Sequence, residues 1–312
     1  MGMYRTVSRA SLILILGLTL AVTGCSQSTL DFDATAEEGS AGGITIGAPP
    51  LPEGRLLAEL YGQVLVENSY DVTYNFGLDS RASYLQALGN DIVDVVPDYS
   101  GNVLRHMAPA APEKSFIDVS LAAKKNLSDL GLVGLDPSRA ENRRAFVVSP
   151  AFAALFSVSS MRDLANFDRT LVIATPEGME PGGAPSVALS KQYSIDNWSP
   201  IEFSRADTET VLASLESGEI DIVVLDSASA FIEARSLVVL EDPSAVFTAN
   251  NLMPIVTSDR SSRSLIVVLD SVSDAVTPEA LRALVFRHSN ERAPGDATIA
   301  RDWLIRQGLV SP

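Results

Sequence analysis

Apolar residues recur along residues 44–312 at two spacings, one typical of strands and one typical of helices. Short apolar or alternating runs predict strands at 44–47, 72–76, 93–96, 171–174, 201–203, 220–225 and 237–240. Helical spacing predicts helices at 55–68, 84–88, 186–193, 208–217 and 228–234, and a helical region at 264–308 with breaks at Pro278 and Pro294. Strands that alternate with helices indicate βαβ units, so the pattern predicts an α/β fold with mainly parallel sheets.

One helix–turn–strand pattern occurs twice, at residues 84–100 and 211–227. Each copy ends with a polar residue at the carboxyl end of a buried strand, followed by a serine: Tyr99 precedes Ser100, and Asp226 precedes Ser227. In open α/β sheets, ligands bind in the crevice outside the carboxyl ends of the strands. Two copies therefore predict two lobes that share one cleft, unless two common patterns match here by accident.

The N-terminus has the pattern of a targeting segment. Arg5 and Arg9 precede an apolar run at 12–22, which is shorter than the roughly 20 residues that a membrane span needs. We interpret residues 1–24 as a signal peptide. The sequence before Cys25 resembles the lipobox of bacterial lipoproteins, which implies cleavage before Cys25 and a lipid on its sulfur. The alternative is an ordinary secretion signal followed by a coincidental cysteine.

Residues 25–42 are rich in small and acidic residues, which is typical of a flexible tether. The whole chain has a net charge of −16, and loss of residues 1–24 removes two arginines and no acid, which makes the charge −18. A surface this acidic argues against nucleic acid or an anionic lipid surface as the main partner.

Other patterns give little support for catalysis, a cofactor or a metal. Cys25 is the only cysteine, His106 and His288 have no metal-ligand spacing, and no serine-hydrolase motif occurs. The Gly182-Gly183 loop matches no phosphate-binding motif and is interpreted as a tight turn. Six acids near the repeated strands are expected to be mostly solvated: Asp91, Asp94, Asp98, Glu216, Glu219 and Asp221.

Several segments, in order, resemble the glycine betaine/choline-type substrate-binding lipoproteins of osmoprotectant ABC transporters. They are Ile46-Gly47, Glu53 to Tyr61, Ser80-Arg81, Val93 to Gly101, Asn142 to Phe146, Ser217 to Asp221, Met253 to Ile255 and Ala297 to Leu304. The resemblance covers nearly the whole body, and it depends on the order and spacing of the segments.

The resemblance implies the type II periplasmic-binding-protein fold, which has two lobes and two crossover segments. Lobe one would comprise 43–147 and 257–312, and lobe two 148–256, with crossings near 146–148 and 254–256. The protein would be an extracytoplasmic, lipid-anchored monomer that captures an osmoprotectant-like solute and delivers it to ABC permease subunits. The alternatives are a sensing lipoprotein of the same fold, which presents a ligand to a membrane receptor, and an enzyme built on this fold.

The resemblance also implies the ligand-binding residues: Pro50, Ser80, Tyr99, Ser100, Arg144, Asp226 and Asn250. Relatives surround a quaternary ammonium group with aromatic side chains. Only Tyr99 matches that pattern, because Arg144, Asp226 and Asn250 (or Asn251) replace aromatic residues. We therefore expect a quaternary ammonium or polar zwitterionic ligand, with Arg144 able to grip a carboxylate and Asp226 able to meet a cation. The alternative is that Arg144 and Asp226 pair structurally and line no pocket.

Overall fold

The computed structural model describes residues 43–165, 167–177, 184–290 and 292–312. The predicted signal peptide at 1–24, the predicted tether at 25–42 with Cys25, and the predicted turn at Gly182-Gly183 lie outside these residues. All the elements below belong to one compact unit, Gly39–Pro312.

The described residues form two five-stranded sheets. In chain order the strands are β1 (Ile44–Gly47), β2 (Val72–Asn75), β3 (Val95–Tyr99), β4 (Leu132–Gly134), β5 (Arg144–Val148), β6 (Leu171–Pro176), β7 (Trp198–Phe203), β8 (Ile222–Asp226), β9 (Val238–Val239) and β10 (Leu252–Thr257). The spatial order is β2-β1-β3-β10-β4 in the first sheet and β7-β6-β8-β5-β9 in the second.

Each sheet has four strands in one direction and one in the other. In the first sheet β1 pairs in parallel with β2 and β3, whereas β10 is antiparallel to β3 and β4. In the second, β6 pairs in parallel with β7 and β8, whereas β5 is antiparallel to β8 and β9. The prediction of an α/β fold with two lobes and mainly parallel sheets is confirmed.

Helices cover both faces of each sheet. They are α1 (Gly54–Glu67), α2 (Arg81–Gly89), α3 (Ser100–Met107), α4 (Phe116–Ser128), α5 (Pro150–Phe156), α6 (Ala184–Tyr193), α7 (Thr208–Ser217), α8 (Ala230–Ala234), α9 (Arg263–Ala275), α10 (Pro278–His288) and α11 (Asp296–Gln307). Pro278 begins α10, where a missing N–H costs nothing, and the Thr277 hydroxyl accepts from the N–H of Ala280 at 3.1 Å. Within the described ranges, no helix combines the length and the apolar character that a membrane crossing requires.

The central strands are buried on both faces. Val95 and Tyr99 of β3 belong to the core beneath α1, α9, α10 and α11, whereas Val96 belongs to the core beneath α2, α3 and α4. In the second sheet, Val224 of β8 belongs to the core on one face and Val223 to the core on the other face. Burial on both faces explains why β8 is apolar up to Asp226 and why β3 begins with apolar residues as far as Pro97.

The chain crosses between the sheets earlier than the sequence predicted. Residues Arg144 to Val147 already pair with β8, and β10 pairs with β3 from Leu252 onwards. The apolar segments at 146–148 and 254–256, which were predicted as crossings, are therefore buried inside β5 and β10. We propose lobe boundaries at 43–143 with 251–312, and at 144–250.

Asp94 closes the end of the first sheet opposite the cleft. It is buried, and its Oδ2 accepts from the N–H of Thr45 at 2.7 Å while its Oδ1 accepts from Arg260 at 2.9 Å. The expectation that it is solvated is wrong, because the carboxylate satisfies a backbone donor of the neighbouring strand. Asp98 is also fully buried and accepts from Arg81 and from the Tyr84 hydroxyl.

Asp221 makes the equivalent contacts in the second sheet, where it too was expected to be solvated. It is buried, accepts from the N–H of Val172 at 2.8 Å and forms an ion pair with Arg169. The two copies of the sequence pattern thus share an acid that joins the repeated strand to its neighbour.

We expect Asp94→Ala and Asp221→Ala each to lower the free energy of unfolding by about 2 kcal/mol, because each leaves a backbone donor without its acceptor. Urea unfolding of the purified protein measures the change. The matched control is Asp79→Ala at an exposed carboxylate, which should cost less than about 0.5 kcal/mol. Equal losses of stability at all three positions would contradict the role of Asp94 and Asp221 as acceptors for backbone N–H groups.

Candidate functional site

The two crossing segments lie against each other where they join the lobes. The N–H of Asn142 donates to the carbonyl oxygen of Asn250 at 2.9 Å, and the Asn250 side chain donates back to the carbonyl oxygen of Asn142 at 2.7 Å. Next to them, Leu252 N–H donates to the Ala140 carbonyl at 3.0 Å. This antiparallel pair is the structural connection around which the lobes meet.

In lobe one, the second crossing satisfies the start of α3. The N–H of Ser100 donates to the carbonyl oxygen of Asn251 at 2.8 Å, and the N–H of Asn102 donates to Oδ1 of Asn250 at 2.8 Å. The first-turn N–H groups of a helix otherwise lack partners. Asn250, predicted as a ligand contact, is therefore also a structural cap, and Ser100 is buried beneath the same crossing.

In lobe two, the first crossing accepts hydrogen bonds from the residues that follow β8. The N–H of Ser227 donates to the carbonyl oxygen of Arg143 at 2.7 Å, and the N–H of Ala228 donates to Oδ1 of Asn142 at 3.3 Å. The contacts of Asn142 with lobe two thus mirror those of Asn250 with lobe one. The second crossing is thus hydrogen-bonded to the residues directly after β3, and the first crossing to the residues directly after β8.

A cleft of about 510 Å³ lies between the lobes beside the crossings. We call it the cationic compartment, because four of its side chains are lysine or arginine. Its polar and charged lining residues are Glu53, Asn102, Arg105, Lys114, Asn142, Arg143, Arg144, Asp226, Thr248 and Asn250. Three of the predicted ligand-binding residues, Arg144, Asp226 and Asn250, line it.

Arg144 and Asp226 are opposite each other on β5 and β8, and their charged groups are 3.1 Å apart. About two fifths of each side chain is exposed, 37% for Arg144 and 42% for Asp226. The sequence left open whether these residues face the cleft or pair with each other. They do both, so the charge of Arg144 is already partly neutralised at the cleft wall.

Arg105 and Lys114 supply the other prominent cations. Arg105 is exposed on α3 and donates to the Asn102 side chain at 2.8 Å, and Lys114 donates to the carbonyl oxygen of Val246 at 3.0 Å. Partial desolvation of the guanidinium lowers the pKa of Arg105, and so do the positive charges of Arg81 and Arg144. Arg105 therefore stands among other cations on this side of the cleft.

A second space of about 470 Å³ continues from the first between α8 and α10. We call it the acidic compartment, because the described part of its lining contains Glu53 and Asp226 and no lysine or arginine. Phe231 from α8 and Phe286 from α10 add aromatic surface. Glu53 and Asp226 also line the cationic compartment, so the two spaces meet at these carboxylates.

Glu53 is the buried acid of the site, and Tyr99 lies behind it. The Tyr99 hydroxyl and the Asn142 side chain both donate to Oε1 of Glu53, each at 3.0 Å. Burial raises the pKa of Tyr99 far above its ordinary value, and the charge of Glu53 raises it further, so the hydroxyl stays protonated as a donor. Tyr99 is fully buried and lines neither compartment, and its hydroxyl bonds Glu53, which lines both.

Pro50 and Ser80 are not among the residues that line either compartment. Pro50 is half-buried beside Leu51 and Pro52, which do line the cleft, and Ser80 is exposed and caps α2 by accepting from the N–H of Ser83 at 3.1 Å. Both were expected as ligand contacts by resemblance. The residues of this loop that do line the cleft include Pro52 and Glu53, which follow Pro50 by two and three residues.

Sequence reasoning missed several residues of the cleft. Glu53 and Asn142 lie within the segments that carry the family resemblance, so a signal for them existed. Arg105, Lys114 and Phe286 are on helices or loops whose orientation depends on tertiary packing. No local pattern distinguishes them from ordinary surface or core residues.

The family model for the substrate-binding domain of ABC-type glycine betaine transport systems matches residues 42–306 of this chain. A search of curated proteins gives no match.

Solved structures share the fold at low sequence identity. A glycine betaine/carnitine/choline ABC transporter structure is 18% identical, with a TM-score of 0.71, over 85% of this chain and 99% of that one. Apo YehZ from Escherichia coli is 18% identical, with a TM-score of 0.74, over 86% and 99%. Lactococcal OpuAC in its closed form with glycine betaine is 18% identical, with a TM-score of 0.50, over 86% and 96%.

We expect Asn142→Ala to lower the free energy of unfolding by about 2 kcal/mol, because it removes a donor to Glu53 and the acceptor for the N–H of Ala228. Urea denaturation measures the loss. The matched control is Asn126→Ala on α4, whose amide bonds only within its own helix. A loss no larger than that of the control would contradict the role of Asn142 as a link between the lobes.

Proposed function

Since this chain belongs to the family of substrate-binding domains of ABC-type glycine betaine transport systems, we propose that its cleft captures a small zwitterionic or quaternary ammonium solute for delivery to a membrane permease. The family is one of solute-binding transport proteins, whose members act outside the cytoplasm. We propose that this member has no catalytic role and acts as a monomer.

The separation of charge along the cleft supports a zwitterion. The cationic compartment presents Arg105, Lys114 and Arg144, whereas the acidic compartment presents Glu53 and Asp226. A zwitterion that spans both spaces would place each of its charges against the opposite charge. One solved relative is described as a complex with glycine betaine, a molecule of this kind.

The acidic compartment offers a different way to hold a cation than an aromatic box. The carboxylates of Glu53 and Asp226 would attract the positive end of the solute, and the rings of Phe231 and Phe286 would supply apolar and cation–π contact. Tyr99 would contribute by fixing the position of Glu53 through its hydroxyl. This arrangement accepts a quaternary ammonium group, which has no hydrogen to donate.

Closure of the lobes about the crossings would complete the site. Hinge motion about a few residues at the ends of elements is the usual way in which such two-lobed proteins enclose a ligand. Arg144 and Asp226 belong to lobe two, whereas Glu53, Arg105 and Lys114 belong to lobe one, so closure would bring both charge signs around the solute.

We also propose that residues 1–24 are a signal peptide, that Cys25 carries a lipid and that residues 25–42 tether the body to the membrane. The basic start, the short apolar run and the residues before Cys25 support this proposal. The anchor would keep the solute-binding body close to the permease.

The ligand is tested by a thermal-shift screen of the purified protein against glycine betaine, choline, carnitine, ectoine, ergothioneine and amino acids. A solute at 100 times its Kd should add about 2.7 kcal/mol of stability, which gives a clear rise in Tm. Asp226→Asn should weaken binding at least about tenfold, because it removes an acid from the acidic compartment. The matched control is Asp259→Asn, an exposed acid outside the cleft. Absence of a shift with every solute, or unchanged affinity in Asp226→Asn, would contradict the proposal.

The anchor is tested by expressing the full chain in a bacterial host supplied with a labelled fatty acid and measuring the label on the purified protein. Cys25→Ser should lose the label, because the lipid would be attached to the sulfur of Cys25. Ser26→Ala is the control and should keep the label. Label on Cys25→Ser equal to that on the unaltered chain would argue against a lipid on this cysteine.

A further inference from the structure

Two cations of the cationic compartment have no carboxylate partner in the ranges that the structure describes. Arg143 forms ion pairs with Glu141 and Asp242, and Arg144 forms one with Asp226. By contrast, the recorded side-chain bonds of Arg105 and Lys114 go to neutral oxygen atoms, those of Asn102 and Val246. These two residues therefore keep a full positive charge at the wall of a cavity.

The protein holds both charges in place before any ligand arrives. The Asn102 side chain accepts from the Arg105 guanidinium at 2.8 Å, and Asn102 itself is fixed because its N–H bonds Asn250. The Lys114 carbonyl accepts from the N–H of Ala249 at 2.9 Å, which ties this loop to the second crossing. Fixed, oriented donors bind an anion with a smaller loss of conformational entropy than free side chains do.

The surroundings of Arg105 favour an added negative charge. Its pKa is lowered by partial desolvation of the guanidinium and by the nearby positive charges of Arg81 and Arg144. An anion placed beside Arg105 would relieve this repulsion. Arg144 is a poorer candidate for the same task, because its guanidinium already forms an ion pair with Asp226 at 3.1 Å.

We propose that Arg105 and Lys114 form the subsite for a carboxylate of the solute, and that the protein therefore selects carboxylated zwitterions over simple quaternary ammonium cations. The proposal rests on the solute-binding function proposed above and assigns one end of that site. It also sets the orientation of the solute: the carboxylate lies in the cationic compartment beside α3, and the cationic end lies between Glu53 and Asp226.

The experiment uses pairs of solutes that differ only in the acidic group. Glycine betaine is compared with choline, in which an alcohol replaces the carboxylate, and proline is compared with prolinamide. Isothermal titration of the purified protein should show the carboxylated member of a pair bound at least about tenfold more tightly than the cationic partner that lacks the carboxylate. Arg105→Met with Lys114→Met should weaken binding of the acid at least about tenfold and leave binding of its partner within about twofold.

The control variant is Lys125→Met, an exposed lysine on α4 that should change neither affinity. Circular dichroism and Tm of each variant establish that it folds. Equal loss of the acid and its partner in the double variant, or unchanged affinity for the acid, overturns the carboxylate subsite while the solute-binding function stands. If the unaltered protein binds neither member of either pair and no solute of the wider panel, the solute-binding function fails, and the subsite fails with it.

Discussion

The hydrogen-bonded pair of Asn142 and Asn250 is the constraint on which the rest of the structure depends. Two chain segments must pass between two sheets, and their backbone polar groups must find partners inside the protein. The segments satisfy each other, and their side-chain amides then cap the start of α3 in lobe one and the turn after β8 in lobe two. The cleft lies where it does because both strand ends are bound to the same pair.

The hydrogen bonds between the second crossing and α3 affect the chemistry of the cleft. In lobe one, two N–H groups at the start of α3, those of Ser100 and Asn102, are occupied by protein acceptors and are not available to an anion. In the proposed binding mode, the negative charge of a solute therefore meets the side chains of Arg105 and Lys114. Its positive charge meets Glu53 and Asp226.

Much of the fold was predictable from the sequence, because burial on both faces makes β8 and the start of β3 apolar and because α1 has clear apolar spacing. The crossings were misplaced because β5 and β10 are equally apolar, and only strand pairing shows to which sheet they belong. Arg144 and Asp226 could be singled out from the sequence because they stand where the resembled family has aromatic residues. Arg105 and Lys114 could not be found in that way, because nothing local marks a charge that tertiary packing turns towards a cavity.

The half-exposed ion pair of Arg144 and Asp226 would make the proposed recognition of a solute sensitive to dissolved salt. The Debye length is about 8 Å at physiological ionic strength and about 3 Å at 1 M salt. At high salt, an open cleft therefore attracts a charged solute only weakly. An aromatic box depends less on the medium. A cleft built on charges must exclude water and ions by closing before its contacts reach full strength. Capture in a saline habitat would then be governed by how readily the lobes shut, more than by long-range attraction.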